Sequence, residues 1–100
     1  MSIYADFAGF VEENGELVES TTSLFGEKMF YSYKDYFIVL DLGKAPDKEK
    51  SRVVCVLKDG KAVYVSEYFI KGYATIFGKQ IDLKFSDPKI LSELLEEWRD

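Results

Sequence analysis

Residues 53 to 66 read VVCVLKDGKAVYVS, two runs rich in β-branched residues on either side of Asp59-Gly60. Asp-Gly tolerates the positive φ angles of a two-residue hairpin turn, and Val53, Val54, Val56, Val63 and Val65 pack well on a pleated surface. A hairpin alone is barely stable in water, so the rest of the chain must supply further strands or a helix to cover it. The sequence therefore has to be read as the remainder of an antiparallel sheet.

Asn14-Gly15, between FVEE and ELVES, carries the same turn signal and predicts a second hairpin. Residues 28 to 42, KMFYSYKDYFIVLDL, read as extended but are long for one strand, and Lys34-Asp35 interrupts the aromatics. A bulge or tight turn is expected there. The segment GKAPDKEKS, residues 43 to 51, is a loop, since Pro46 cannot donate to a ladder and pushes Ala45 out of the α region. ATIFGKQIDLKF reads as a strand or hairpin centred on Gly78-Lys79, with part of 66 to 74 as an alternative short helix. The segments 24 to 35 (LFGEKMFYSYKD) and 76 to 87 (IFGKQIDLKFSD) echo one another, as either a duplicated half-domain or chance would produce.

The C-terminal segment has a helix start and an apolar stripe. Asp87 is a good N-cap, Pro88 suits the first helical position, and Ile90, Leu91, Leu94, Leu95 and Trp98 recur at helical spacing. Together these elements predict one α+β domain over residues 1 to 100. Its predominantly antiparallel sheet has about five or six strands built from hairpins, with one C-terminal amphipathic helix packed on it.

Composition removes several functions. There is no histidine, the most versatile proton carrier near neutral pH, and Cys55 is the single cysteine. Placed in VVCVL it reads as a buried strand residue, leaving no disulfide, no multi-thiolate metal site and no catalytic thiol. No enzyme activity, metal or cofactor is expected. The start MSIYADFAGF lacks the features of a signal peptide, and no apolar run approaches roughly 20 residues. A cytoplasmic, non-membrane chain is expected. Eleven lysines and ten glutamates against one asparagine and one glutamine echo hyperthermophile usage.

Two short segments resemble known signatures. Pro46-Asp47 followed by Asp59-Gly60-Lys61 satisfies the spacing of the metal-dependent nuclease pattern PD-(D/E)-x-K. In that family the second acid and the lysine share one face of a strand, whereas here they flank a hairpin glycine. KGYATIFG resembles the RNP1 signature of the RNA-recognition motif at Lys71, Gly72, Tyr73, Ala74 and Ile76, and departs at Thr75 and Gly78, where stacking aromatics belong.

Charge is unevenly spread beneath a net −5: residues 1 to 27 hold six acids and no basic residue, while residues 28 to 92 hold twelve basic and eight acidic side chains. MFYSYKDYF, residues 29 to 37, adds five aromatics whose alternation makes both strand faces apolar, as in core, in a Tyr-rich interface or in a platform for nucleic acid or sugar. The leading functional expectation is a small protein that binds or inhibits a partner protein with a basic surface. Glu12, Glu13, Glu16 and Glu19 would steer it, and Tyr31, Tyr33 and Tyr36 would supply contact area. Inhibitors of nucleic-acid enzymes, immunity proteins and phage counter-defence proteins share this format by analogy. One alternative is a nucleic-acid-binding sheet using Lys58, Lys61, Lys71, Tyr73, Lys79 and Lys84, and another is a metal-dependent nuclease, for which only the Pro46-Asp47 and Asp59-Gly60-Lys61 spacing speaks. A homodimer through the aromatic strand or an unpaired sheet edge would also bury useful surface.

Overall fold

The computed structural model describes residues 2–23, 26–41, 50–66 and 86–100. The chain runs α1 (Ile3–Asn14), β1 (Glu16–Ser23), β2 (Gly26–Tyr33), β3 (Tyr36–Asp41), β4 (Val53–Lys58), β5 (Lys61–Val65) and α2 (Lys89–Arg99). The strands form one antiparallel meander in the order β1-β2-β3-β4-β5. The α+β expectation holds, with a second helix added to it. The readings of 43 to 49, of 67 to 85 and of the internal echo fall wholly or partly outside the described residues.

That second helix occupies the segment read as a hairpin. Ser2 caps it, its hydroxyl accepting from the Ala5 amide at 3.2 Å, and Phe7, Ala8 and Val11 form its buried face. Asn14-Gly15 ends a helix instead of turning a hairpin. The Gly15 amide donates to the Val11 carbonyl at 2.7 Å, and the Asn14 side-chain amide donates to the Phe10 carbonyl at 2.9 Å. Gly15 has φ −83°, ordinary extended backbone, so it is not the positive-φ glycine that a hairpin would have needed.

The turn readings at Lys34-Asp35 and Asp59-Gly60 match. KMFYSYKDYFIVLDL divides into β2 and β3 at the tight turn Lys34-Asp35, with Lys34 at φ 53°. Asp59 and Gly60 turn β4 into β5 at φ 51° and 78°. In α2, Asp87 accepts from the Lys89 amide through its side chain at 2.9 Å, and Pro88 has helical dihedrals. Asp87 thus acts as the cap that its sequence position indicates, with the helix boundary one residue further on.

Both helices pack on one face of the sheet. There Met29 pairs with Leu40, Tyr31 with Ile38 and Tyr33 with Tyr36, while Val56 faces Ile38 and Tyr64. Phe7, Val11, Leu91, Leu94, Leu95 and Trp98 close over them. The opposite face carries a smaller cluster of Val39, Val54 and Cys55, against which Phe30 and Phe37 pack with their rings stacked at 5.9 Å. The sheet is thus apolar on both faces, as the alternation in β2 and β3 requires.

The two outer edges differ. Along β5, Val65 and Ser86 exchange two hydrogen bonds: the Val65 amide donates to the Ser86 hydroxyl at 2.9 Å, and the Ser86 amide donates to the Val65 carbonyl at 3.0 Å. At the other side, β1 is paired only with β2 among the described residues.

Candidate functional site

The tyrosines proposed for partner contact belong mostly to the core. Tyr31 and Tyr36 are each 8% exposed. Tyr33 is half-buried and sets its edge against Phe10 at 5.6 Å and Trp98 at 4.9 Å. Tyr33 and Tyr36 set their edges against Trp98, so part of MFYSYKDYF packs between the sheet and the helices. Tyr31 and Tyr36 offer almost no area to a partner, so any contact surface has to be built from other residues.

The acids lie outside. Glu13, Glu16 and Glu19 are exposed, but Glu12 is engaged: its carboxylate pairs with Arg52 Nη2. Arg52 Nη1 also donates to the Asp41 carbonyl, so one guanidinium ties the C-terminal part of α1 to the end of β3. A cation at that end of a helix also offsets the negative pole of its dipole. Nearby, Lys28 and Asp41 form an ion pair at 2.6 Å across β2 and β3. Glu12 is therefore a structural acid as much as a surface one.

A bulge arranges the next two acids. In β1 the register with β2 shifts between Leu17 and Glu19, leaving Val18 as the extra residue. Glu16 lies opposite Ser32 and Glu19 opposite Phe30. Ser32 and Phe30 are two apart on β2 and so share a face, the one away from the helices. Without the bulge, residues three apart on a strand would face opposite ways. The irregularity thus places two carboxylates side by side, and Leu17 and Val18 beside them are 49% and 59% exposed.

The helical layer is acidic as well. Within α1 and α2 there are six acids, Asp6, Glu12, Glu13, Glu93, Glu96 and Glu97, against Lys89 and Arg99. Arg99 approaches Asp6 at 3.7 Å and lies over the Phe10 ring. Glu93, Glu96 and Glu97 face solvent opposite the stripe of Leu91, Leu94, Leu95 and Trp98. Two segments distant in sequence thus place acids in the same helical layer.

The lysines of the alternative reading are only partly placed. Lys58 and Lys61 face each other across the β4–β5 turn, and Lys58 lies over the Tyr36 ring at 5.3 Å. Lys71, Tyr73, Lys79 and Lys84 lie outside the described residues, as do Pro46 and Asp47 of the nuclease-like spacing. Asp59 and Lys61 do flank the hairpin glycine. Among the described residues no group of three or more acids or thiols is placed to hold a metal, and no helix is long and apolar enough to cross a membrane. Cys55 is buried in the sheet, and desolvation pushes its thiol up to about 11, so near neutral pH it stays protonated and a poor nucleophile.

Sequence reasoning missed α1, the Glu12–Arg52 pair and the bulge at Val18. The signal for α1 was present as Ser2 before apolar residues at 3, 4, 7, 8, 10 and 11, a helical period. Comparison with protein-family models, curated proteins and solved structures found no match.

Proposed function

We propose that the protein acts by binding a partner protein through its acidic surface, and performs no catalysis of its own. The observation that carries this reading is the packing of α1 and α2 on the same sheet face, which brings their exposed acids into one layer. Such a field steers a basic partner into encounter and rejects acidic ones. Tyr33 and Tyr36 also pack against Trp98 of the acid-bearing helix α2. Lack of histidine and a protonated thiol favour recognition over covalent chemistry. Inhibition of an enzyme with a basic substrate groove is the form of action that this charge suits best.

The test is capture from native lysate, with and without nuclease, by the wild-type protein and by Glu13→Gln/Glu93→Gln/Glu97→Gln. These three side chains are exposed, and Glu12 is spared because Arg52 uses it. A specific protein that survives nuclease with the wild type and is depleted with the variant is expected. Recovery of nucleic acid, lost on Lys58→Glu/Lys61→Glu but not on removal of the acids, would move the assignment to the lysine end of the sheet.

A further inference from the structure

We propose that the outer edge of β1, paired with no further strand among the described residues, is a docking site for an extended, basic segment of a partner, which adds to the sheet beside β1. This rests on the acidic-surface reading and gives it a location and a geometry. An edge strand presents a row of unpaired amides and carbonyls, a template for β-strand addition. The opposite edge of the sheet is occupied in part by Ser86, whereas residues 16 to 22 are exposed throughout.

Charge decides the occupant. β1 has two glutamates and no basic residue, and the bulge at Val18 sets Glu16 and Glu19 on one face two ladder positions apart. An incoming strand projects alternate side chains to that same face at matching intervals. Lys or Arg at alternate positions would therefore meet both carboxylates while the intervening side chains lie toward the helix side, where Leu17 faces opposite Tyr31. Leu17 and Val18 are the exposed large hydrophobics among the described residues, and an added strand would cover part of them. A second copy of this chain is a poorer occupant, since it brings another net −5 to an edge already negative.

The probe is a synthetic ten-residue peptide of alternating lysine and threonine, followed by amide chemical shifts and hydrogen exchange of the full chain. Shifts and slowed exchange along residues 16 to 22 are expected. A peptide of the same sequence N-methylated at every peptide group keeps the charge and loses the donors, and should bind at least about tenfold more weakly. Glu16→Lys/Glu19→Lys should abolish binding of the first peptide, without unfolding, because both side chains are exposed. Equal binding of the two peptides would overturn the strand-addition geometry. Shifts confined to α1 and α2 would overturn the edge and leave the acidic-surface reading standing. A free protein that sediments as a dimer with β1 amides already protected would overturn it in favour of a second copy.

Discussion

Trp98→Ala should destabilise the protein by about 3–5 kcal/mol, the cost of deleting a large buried aromatic. Trp98 sits where four other rings converge, with Phe7 at 5.3 Å, Phe10 at 5.9 Å, Tyr33 at 4.9 Å and Tyr36 at 5.0 Å. Its removal opens a hole bounded by α1, β2 and β3, none of which can collapse into it without leaving its other contacts. For a small domain the loss is a large share of the total, which is typically about 5–15 kcal/mol. Denaturant titration followed by circular dichroism measures it, since the variant lacks the chain's one tryptophan. A loss below about 1 kcal/mol would mean that α2 is not held through this residue. Trp98→Phe should cost less, because the indole Nε1 is buried without a hydrogen-bond partner and phenylalanine carries no such group.

Gly15→Ala and Gly9→Ala should act in opposite directions although the substitution is the same. At Gly15 an added Cβ would stand 2.8 Å from the Val11 carbonyl oxygen and 3.2 Å from that of Ser32, both backbone atoms that cannot swing away. Relief requires α1 to move relative to β2, at about 1–3 kcal/mol. At Gly9, inside α1, the new Cβ meets nothing within 4 Å. Alanine there should stabilise by about 0.5–1 kcal/mol through helix propensity. Melting curves of the two variants decide the matter. A neutral Gly15→Ala would show that the helix-to-strand junction is looser than the contact distances imply, and a destabilising Gly9→Ala would argue against α1 as a helix.

Gly15 and Gly60 show why part of this fold is legible in the sequence and part is not. Asp59-Gly60 was read correctly because its flanks are β-branched and only a turn accommodates two positive φ angles in a row. Asn14-Gly15 carries a similar turn signal, but asparagine and glycine also end helices, and the deciding features lie upstream in Ser2 and the apolar period of α1. The stripe of α2 was plain because its apolar and acidic residues separate cleanly around the helix. For the candidate site, sequence supplied the acids but not their engagements. Glu12 meets Arg52 from 40 residues away, a distance that no local pattern encodes. Alternation made both faces of β2 and β3 apolar without saying which tyrosines would be covered. The bulge at Val18 left no mark in composition, because it arises from pairing with β2.

The meander has a kinetic consequence. Every strand pairs with its neighbour in sequence, so the sheet can be assembled by closing short loops one after another. The meeting of Phe7 with Trp98 joins residues far apart along the chain, and its loop-closure entropy is best met after the hairpins have formed. Helix-to-helix docking is then a late event, absent from the folding nucleus. Trp98→Ala should accordingly speed unfolding and leave the folding rate almost unchanged, and a slowed folding arm in stopped-flow measurements would reverse that order. The acid-bearing surface would then be the last part of the molecule to take shape and, since the contact that holds it is the first released, the part whose lifetime is set by the unfolding barrier.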